Sequence, residues 1–211
     1  YRSPVKWIED RLEDFLTTYH ARDHVYDVEV AFNDDGTVQA VNVDVLVNSG
    51  AYSNYPMGVG LEPFQGPLNM PGPYRFRQFA FTCKGIATNT CSTGAFRGVS
   101  APCVTMAMEG MMDRMARHLG LDRVEIRRRN IIHSDEFPYL NVNNQRYDTG
   151  SYVECLDRAL EMVDYEGYLA AQTPERIIDG KYRGIGIAVV TELTGQGAAR
   201  YKARNLSDLP G

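Results

Sequence analysis

An α+β fold is what this sequence predicts, and three observations predict it. Two runs of apolar/polar alternation flank an acidic turn over residues 24–47. One long amphipathic stripe runs over residues 102–119. Strand patterns come first, helical patterns next and a further strand pattern last, which is not the repeating βαβ order of a parallel α/β sheet. The 211 residues, 44% apolar and 23% charged, have ordinary globular values and fit one large domain, with no internal repeat.

Residues 1–19 are ambiguous. Ser3-Pro4 can cap a helix whose stripe is Val5, Ile8, Leu12, Phe15 and Leu16; equally, Val5 to Ile8 fits a short strand followed by a helix over Asp10 to Thr17. Residues 24–47 are clear. Tyr26, Val28, Val30 and Phe32 alternate with polar neighbours; Asn33-Asp34-Asp35-Gly36 makes a turn; Val41, Val43, Val45 and Val47 alternate again. Two period-2 runs around such a turn predict an antiparallel hairpin with one buried face. Residues 54–73 hold five prolines and four glycines, so no regular element is expected there. A long irregular loop with apolar side chains is expected to line a cavity or a contact.

Residues 76–89 read as a strand with Phe79, Phe81 and Cys83 on one face. Residues 102–119 read as a helix. Val104, Ala107, Met108, Met111, Met112, Met115 and Leu119 form its buried stripe, Glu109, Asp113 and Arg117 its solvent side, and Gly120 its C-terminal cap. Methionine at this spacing is core filling. Asp122 with Glu125, and Ser151 with Glu154, read as capping boxes opening two further helices. Val153, Leu156, Leu160 and Val163 would be the buried face of the second. Residues 184–193 alternate as a strand, with Ile185, Ile187, Val189 and Leu193 on one side.

Charge and composition exclude some functions. The 22 basic and 27 acidic residues leave a net charge of −5, the reverse of a nucleic-acid binder. No apolar run approaches the ~20 residues of a membrane span. Cys83, Cys91, Cys103 and Cys155 match no zinc spacing; they read as buried small hydrophobes in a reducing compartment. With no signal peptide, the cytoplasm is the expected location. Tyr1 is not expected to be the natural start.

Chemistry concentrates in Thr93-Gly94-Ala95-Phe96-Arg97-Gly98-Val99-Ser100-Ala101-Pro102, which joins a strand to the long helix. A glycine-flanked turn at a helix N-terminus presents backbone N–H groups, and Arg97 adds a planar five-donor fork. The segment reads as an anion or polar-cofactor site; a structural turn with a salt-bridged arginine fits the same residues. His20 and His24 have ligand spacing but read as surface or capping histidines, and His118 as a favourable cation at a helix C-terminus. Arg127, Arg128 and Arg129 read as a solvated helix end pairing with acids. Glu192 reads as a cap or a paired carboxylate at a strand end.

Gly94-Ala95-Phe96-Arg97-Gly98, then a long helix ending His118-Leu119-Gly120-Leu121-Asp122, then Glu125-Ile126-Arg127-Arg128-Arg129-Asn130, form an ordered set. Pro4-Val5-Lys6, Asn48-Ser49-Gly50-Ala51-Tyr52, Tyr147-Asp148-Thr149-Gly150 and Arg183-Gly184-Ile185-Gly186 extend it over nearly the whole chain. This set resembles the molybdenum-binding large subunit of the xanthine dehydrogenase, aldehyde oxidase and aerobic carbon monoxide dehydrogenase family. The resemblance implies antiparallel hairpins and a mixed sheet packed with a long amphipathic helix and shorter helices. It favours a strand at Val5 to Ile8 followed by a short helix.

The resemblance also implies a molybdenum–pterin cofactor, in the cytosine dinucleotide form. It implies hydroxylation with water as oxygen source, electron transfer to iron–sulfur and FAD-binding subunits, and a homodimer of the assembled complex. Phe96, Arg97 and Gly98 match the loop lying against the cofactor, and Val99 matches a position facing the substrate pocket. The family's glycine-rich cofactor loop and the glutamine near the metal fall upstream of Pro4-Val5-Lys6, and its general-base glutamate falls beyond Gly211. Residues 1–211 are therefore expected to be an internal fragment, a partial cofactor-binding domain. No catalytic residue or metal ligand is expected in it, and alone it should be inactive and cofactor-free.

Two departures bear on substrate. Purine-hydroxylating members place an arginine where Gln65 falls nearest and a phenylalanine where Val99 stands; copper-using carbon monoxide dehydrogenases carry a cysteine where Gly98 stands. An aldehyde or similar small organic substrate is expected. The alternatives are a carbon monoxide dehydrogenase-like large subunit, or a non-catalytic binding or assembly domain that keeps the fold.

Overall fold

A computed structural model describes residues 2–54, 58, 60–171, 177–178 and 180–192. Leu193 and the Gly195-Gln196-Gly197 segment lie outside the described residues, as do Met57 and Val59 of the Pro/Gly-rich stretch.

The chain opens with α1 (Arg11–Thr17), not with a strand. Asp10 accepts from the amides of Leu12 and Glu13, both at 2.9 Å, and Glu13 Oε2 accepts from the Asp10 amide at 3.0 Å, which completes a capping box. The expected strand at Val5 to Ile8 does not form. A strand needs a neighbour for its amides, and among the described residues this segment has none; Val5, Trp7 and Ile8 are exposed.

The hairpin forms as its alternation requires. β1 (His24–Phe32) pairs antiparallel with β2 (Val38–Gly50), with Val28 opposite Val43 and Val30 opposite Val41. Gly36 takes φ +85° in the turn between them. The four alternating valines of β2 are all buried, whereas Asp27, Glu29, Asn42 and Asp44 on the opposite face are open to solvent.

The Pro/Gly-rich stretch corrects the expectation of irregularity. Residues 61–69 form α2 (Leu61–Asn69) in spite of Pro63 and Pro67. Pro63 sits in the first turn, where amides have no intrahelical acceptor and a missing N–H costs nothing. Pro67 is inside the helix and leaves the Pro63 carbonyl without its i+4 donor, but only two helical residues follow it before the Met70 amide closes onto the Pro67 carbonyl at 3.2 Å. Counting breakers overlooks which positions can spare a donor.

β3 (Gln78–Ala87) then pairs parallel with β2, giving a three-stranded mixed sheet in the order β1-β2-β3. Phe79, Phe81 and Cys83 lie on the packed face. α3 (Ala101–Leu119) lays its methionines over that face: Met108, Met111, Met112 and Met115 are buried with Val41, Val43, Val45 and Val47, and Gly120 caps the helix at φ +65°. Burying each such side chain contributes about 1.5–3 kcal/mol. α2 and α3 thus share one side of the sheet.

The four cysteines are free thiols. Cys83 packs on the core, but Cys155 is exposed, which departs from the buried role expected for all four. No helix among the described residues is long and apolar enough to cross a membrane.

α4 (Arg123–Asn130) opens on Asp122, whose carboxylate accepts from the Val124 and Glu125 amides at 2.7 and 3.2 Å. The expected reciprocal bond from Glu125 is not made; Glu125 instead holds Arg129 one turn on, at 2.7 Å. β4 (Tyr139–Leu140) and β5 (Arg146–Tyr147) form a small hairpin. α5 (Tyr152–Met162) follows, and the expected Ser151–Glu154 box is absent: the Ser151 side chain makes no cap, and Glu154 accepts from Ser134. α6 (Tyr165–Ala170) and the short hairpin of β6 (Ile177–Ile178) with β7 (Lys181–Tyr182) complete the elements.

Leu156 and Tyr165 form a second cluster with Val124, and Leu160, Ile185, Ile187 and Val189 pack on it. Val163, expected inside, is exposed. Residues 184–192 alternate inward and outward as expected but join no strand ladder. Their backbone is used differently, as an acceptor for a buried arginine.

That arginine is Arg127, and it overturns two expectations. Glu109, placed on the solvent side by helical periodicity, is buried, and Arg127, read as a solvated helix end, is fully buried. Arg127 Nε donates to Glu109 Oε2 at 2.8 Å, and Nη1 donates to Asp113 at 2.8 Å and to the Arg123 carbonyl at 2.9 Å. Nη2 donates to the carbonyls of Glu109 at 3.3 Å and Ile187 at 3.0 Å. All five guanidinium N–H groups are satisfied. Burial opposes the charge, but the Glu109 and Tyr74 charges and the hydrogen bonds to Glu109 and Asp113 together outweigh it and hold the guanidinium above its usual range. Asn130 ties the first turn to this layer, accepting from the Val38 amide at 2.8 Å and donating to the Gly36 carbonyl at 2.9 Å.

Candidate functional site

The turn between β3 and α3 is held at its two ends by two segments, the stretch before β1 and α2. His20 N donates to the Ser92 carbonyl at 3.0 Å, and the Gly94 amide donates back to the His20 carbonyl at 2.8 Å. At the other end Ser100, buried and left-handed at φ 59°, donates its hydroxyl to the Glu62 carbonyl at 2.8 Å. Between these anchors Gly98 takes φ +97°, a conformation that L side chains resist.

Beside this turn lies a cleft of about 950 Å³. Arg97, Gly98 and Val99 form one wall, and Gln65 with Asn69 from α2 a second. Arg146, Tyr147, Asp148 and Thr149 form a third, closed by Tyr152, Thr191 and Glu192. The structure therefore brings Arg97, Gly98, Val99 and Gln65 together as expected. Phe96 is not in the cleft wall. Its ring is exposed, with the Arg22 guanidinium 4.9 Å from its centroid.

The third wall was not singled out from sequence. Asn143 Nδ2 pins it to α2 through the Pro67 and Leu68 carbonyls at 3.2 and 2.9 Å. Tyr147 donates to the Gly72 carbonyl at 2.8 Å, and burial pushes its hydroxyl up to about 12, so it stays a neutral donor. Tyr152 Oη and Thr191 Oγ1 lie 3.1 Å apart. The Tyr-Asp-Thr-Gly motif was the available signal, and nothing in its spacing says that it faces Gln65.

Arg97 is decisive for what the cleft can hold. Among the described residues no carboxylate or carbonyl pairs with its guanidinium, although Asp148 and Glu192 line the same cleft. This contradicts the reading of a salt-bridged structural arginine. A free five-donor fork on a glycine-flexed turn at the head of a 19-residue helix suits a large polar or anionic ligand.

Beneath the turn lies a buried polar chain. His24, read as a surface residue, is buried: its Nε2–H donates to Glu62 at 2.8 Å, and its Nδ1 lies 2.9 Å from the Tyr26 hydroxyl. Glu62 Oε1 is buried without a hydrogen-bond partner among the described residues. Burial, then the Cys103 and Glu62 charges, push the Tyr26 hydroxyl far above its usual value; burial and Glu62 push the Cys103 thiol up. His20 bridges backbone to Thr93. His118 meets the Phe32 ring edge-on at 5.9 Å. Among the described residues no group of three His, Cys, Asp or Glu side chains is placed to hold a metal ion.

A mixed sheet covered by helices on one side, with a free arginine turn opening into a large polar cleft, defines a cofactor-binding domain. Residues 1–131 match the molybdopterin cofactor-binding domain, and the chain belongs to that family. It is 36% identical over 209 residues to the nicotine 6-hydroxylase large subunit of Paenarthrobacter nicotinovorans, covering 99% of this chain and 25% of that protein. It is 32% identical over 208 residues to the carbon monoxide dehydrogenase large chain of Hydrogenophaga pseudoflava, covering 93% and 25%. Quinoline 2-oxidoreductase from Pseudomonas putida 86 superposes with a TM-score of 0.76 at 35% identity, over 81% of this chain and 22% of that one. The chain thus spans about a quarter of the length of the curated relatives it matches.

The donor set fits the cofactor class. A pterin with phosphate and metal-bound oxygens needs charge-assisted donors and close backbone approach, and Arg97 and Gly98 present both at one cleft wall.

Proposed function

We propose that residues 1–211 are a partial molybdenum cofactor-binding domain, forming one wall of the active site of a molybdenum hydroxylase. Phe96, Arg97 and Gly98 form the loop that lies against the cofactor, and Val99 and Gln65 face the substrate. The observation that carries this reading is Arg97 on the cleft wall, its guanidinium without a partner among the described residues. The cofactor, when bound, supplies oxidative hydroxylation of carbon with water as the oxygen source. This chain's residues bind and orient: Arg97 offers a planar two-donor contact to cofactor oxygens, and Gly98 lets the backbone approach closely. The cofactor is of the cytosine dinucleotide form, and electrons leave through iron–sulfur and FAD-binding subunits of a cytoplasmic complex that assembles as a homodimer. The general base lies outside residues 1–211, so the isolated chain is inactive.

The substrate is a small organic molecule such as an aldehyde. Gly98 supplies no thiolate for copper, which argues against carbon monoxide. Val99 offers no ring to stack on a purine and Gln65 no cation. A second reading, hydroxylation of a nitrogen-containing aromatic ring, is favoured by the likeness to nicotine 6-hydroxylase and quinoline 2-oxidoreductase.

The test is Arg97→Ala and Arg97→Lys in the intact enzyme, with molybdenum content, kcat and melting temperature measured together. Both variants should lose about tenfold or more in molybdenum retention or kcat, with melting temperature nearly unchanged. Lysine should not rescue, because one ammonium cannot reproduce a planar fork. Full molybdenum and activity with a lowered melting temperature would overturn the assignment.

A further inference from the structure

Arg22 stands 75 positions before Arg97 in the sequence and yet touches Phe96 and Arg97 and fills the space beside Gly98. Its Nη2 donates to the Arg97 carbonyl at 2.6 Å. Its guanidinium carbon lies 4.9 Å from the centre of the Phe96 ring. The same Nη2 is 3.5 Å from where a Cβ on Gly98 would stand. Arg22 makes these contacts from a left-handed backbone, φ 74°, a conformation that costs a non-glycine residue energy and persists only where the surroundings impose it. The surroundings do impose it: the flanking residues are fixed to the same turn, His20 by its backbone bonds to Ser92 and Gly94, and His24 through Glu62, whose carbonyl holds Ser100. Arg22 Nε is buried and has no acceptor among the described residues, and no carboxylate among them forms an ion pair with this guanidinium.

We propose that Arg22 is a positioning residue for the cofactor-binding turn: it clamps the Arg97 carbonyl and the Phe96 ring and thereby sets the direction of the Arg97 guanidinium into the cleft. This rests on the reading of Arg97 as the cofactor contact. The chemistry explains the residue type. A planar guanidinium can stack on a ring and donate in its own plane at once. An ammonium at the same reach donates but does not stack. A carboxamide is too short to span to both groups. The clamp acts on a backbone carbonyl, so it fixes the turn from which the Arg97 side chain leaves toward the cleft.

The test uses the intact enzyme with Arg22→Ala, Arg22→Lys, Arg97→Ala and the double variant Arg22→Ala/Arg97→Ala. Molybdenum per subunit, kcat, KM, melting temperature and hydrogen exchange of amides 94–100 are read for each. Arg22→Ala should lower molybdenum retention or kcat by about tenfold, raise exchange in residues 94–100, and cost less than about threefold more once Arg97 is already alanine, because the two act through one turn. Arg22→Lys should fall between wild type and Arg22→Ala. If Arg22→Ala does not accumulate folded, Arg22→Lys with the exchange measurement decides. Wild-type molybdenum and kcat in folded Arg22 variants, with Arg97→Ala impaired, would overturn the clamp and leave the Arg97 reading intact. Wild-type behaviour in Arg97→Ala as well would overturn both. Losses that multiply fully in the double variant would show that Arg22 acts independently and would also overturn the clamp.

Discussion

Replacing Arg127 with methionine tests the packing between α3 and α4. The change keeps much of the apolar stem and removes five donors at once. Glu109 is then left buried, with its charge opposed only by the Tyr74 hydroxyl that also donates to it. The carbonyls of Arg123, Glu109 and Ile187 each lose the guanidinium donor, and the 184–192 segment loses its anchor to α4. Removing one partner of a buried pair costs about 3–5 kcal/mol. At about 2–4 °C per kcal/mol for a protein of this size, the melting temperature should fall by roughly 6–20 °C. Arg128 is the internal control. Its pair with Asp157 is 43% and 50% exposed, so Arg128→Ala should change stability by no more than about 1 kcal/mol. The double variant Arg127→Met/Glu109→Gln removes the stranded charge and keeps an acceptor for Tyr74, so it should recover about 1–2 kcal/mol over the single change. Urea unfolding of the four proteins under one buffer measures all of this. If Arg127→Met costs no more than Arg128→Ala, the buried network does not hold the helices together and the reasoning fails.

Gly50 takes φ +70°, and a Cβ there would stand 2.3 Å from the Cys91 carbonyl oxygen and 2.5 Å from Ser92 Cα, both backbone. Gly50→Ala should therefore destabilise by at least about 2 kcal/mol and disturb the Cys91-Ser92 segment that leads into the turn before α3; a melting temperature equal to wild type would refute the close approach. Glu136 tests the acid side. Burial pushes its carboxyl up, but the His133 amide and the Arg75 guanidinium at 2.8 Å outweigh burial and hold it below its ordinary value of 4.5. A depressed folded value means that this stabilisation is present above the unfolded value and is lost as pH falls through the folded one. Glu136→Gln should thus flatten the loss of stability below about pH 4.5, and an unchanged slope in urea midpoints against pH would count against it.

The hairpin, its buried face and the long helix were legible in the sequence because each depends on local periodicity, whereas the parallel pairing of β3 with β2 was not. Val41, Val43, Val45 and Val47 can bury one face only if they alternate, and a one-residue slip would put all four in water. The methionine stripe and Gly120 determined α3 in the same way, and Gly94-Ala95-Phe96-Arg97-Gly98 marked the turn because glycines and an arginine before a helix have few other uses. What only the tertiary structure decided is where long-range partners fall. Periodicity put Glu109 on the solvent side, since it cannot know that α4 folds back and delivers Arg127 to that side. Proline density hid α2, because the cost of a proline depends on its place in the helix. Alternation at 184–192 did not make a strand, because among the described residues no strand lies beside it; its Ile187 carbonyl accepts from Arg127 instead. Arg22 carried no local signal, and the Tyr147-Asp148-Thr149-Gly150 motif carried none for its place in the cleft. They join the site only because the hairpin places residue 22 behind the turn and Asn143 pins the small hairpin to α2, and contacts across 75 residues of chain are set by packing rather than by composition.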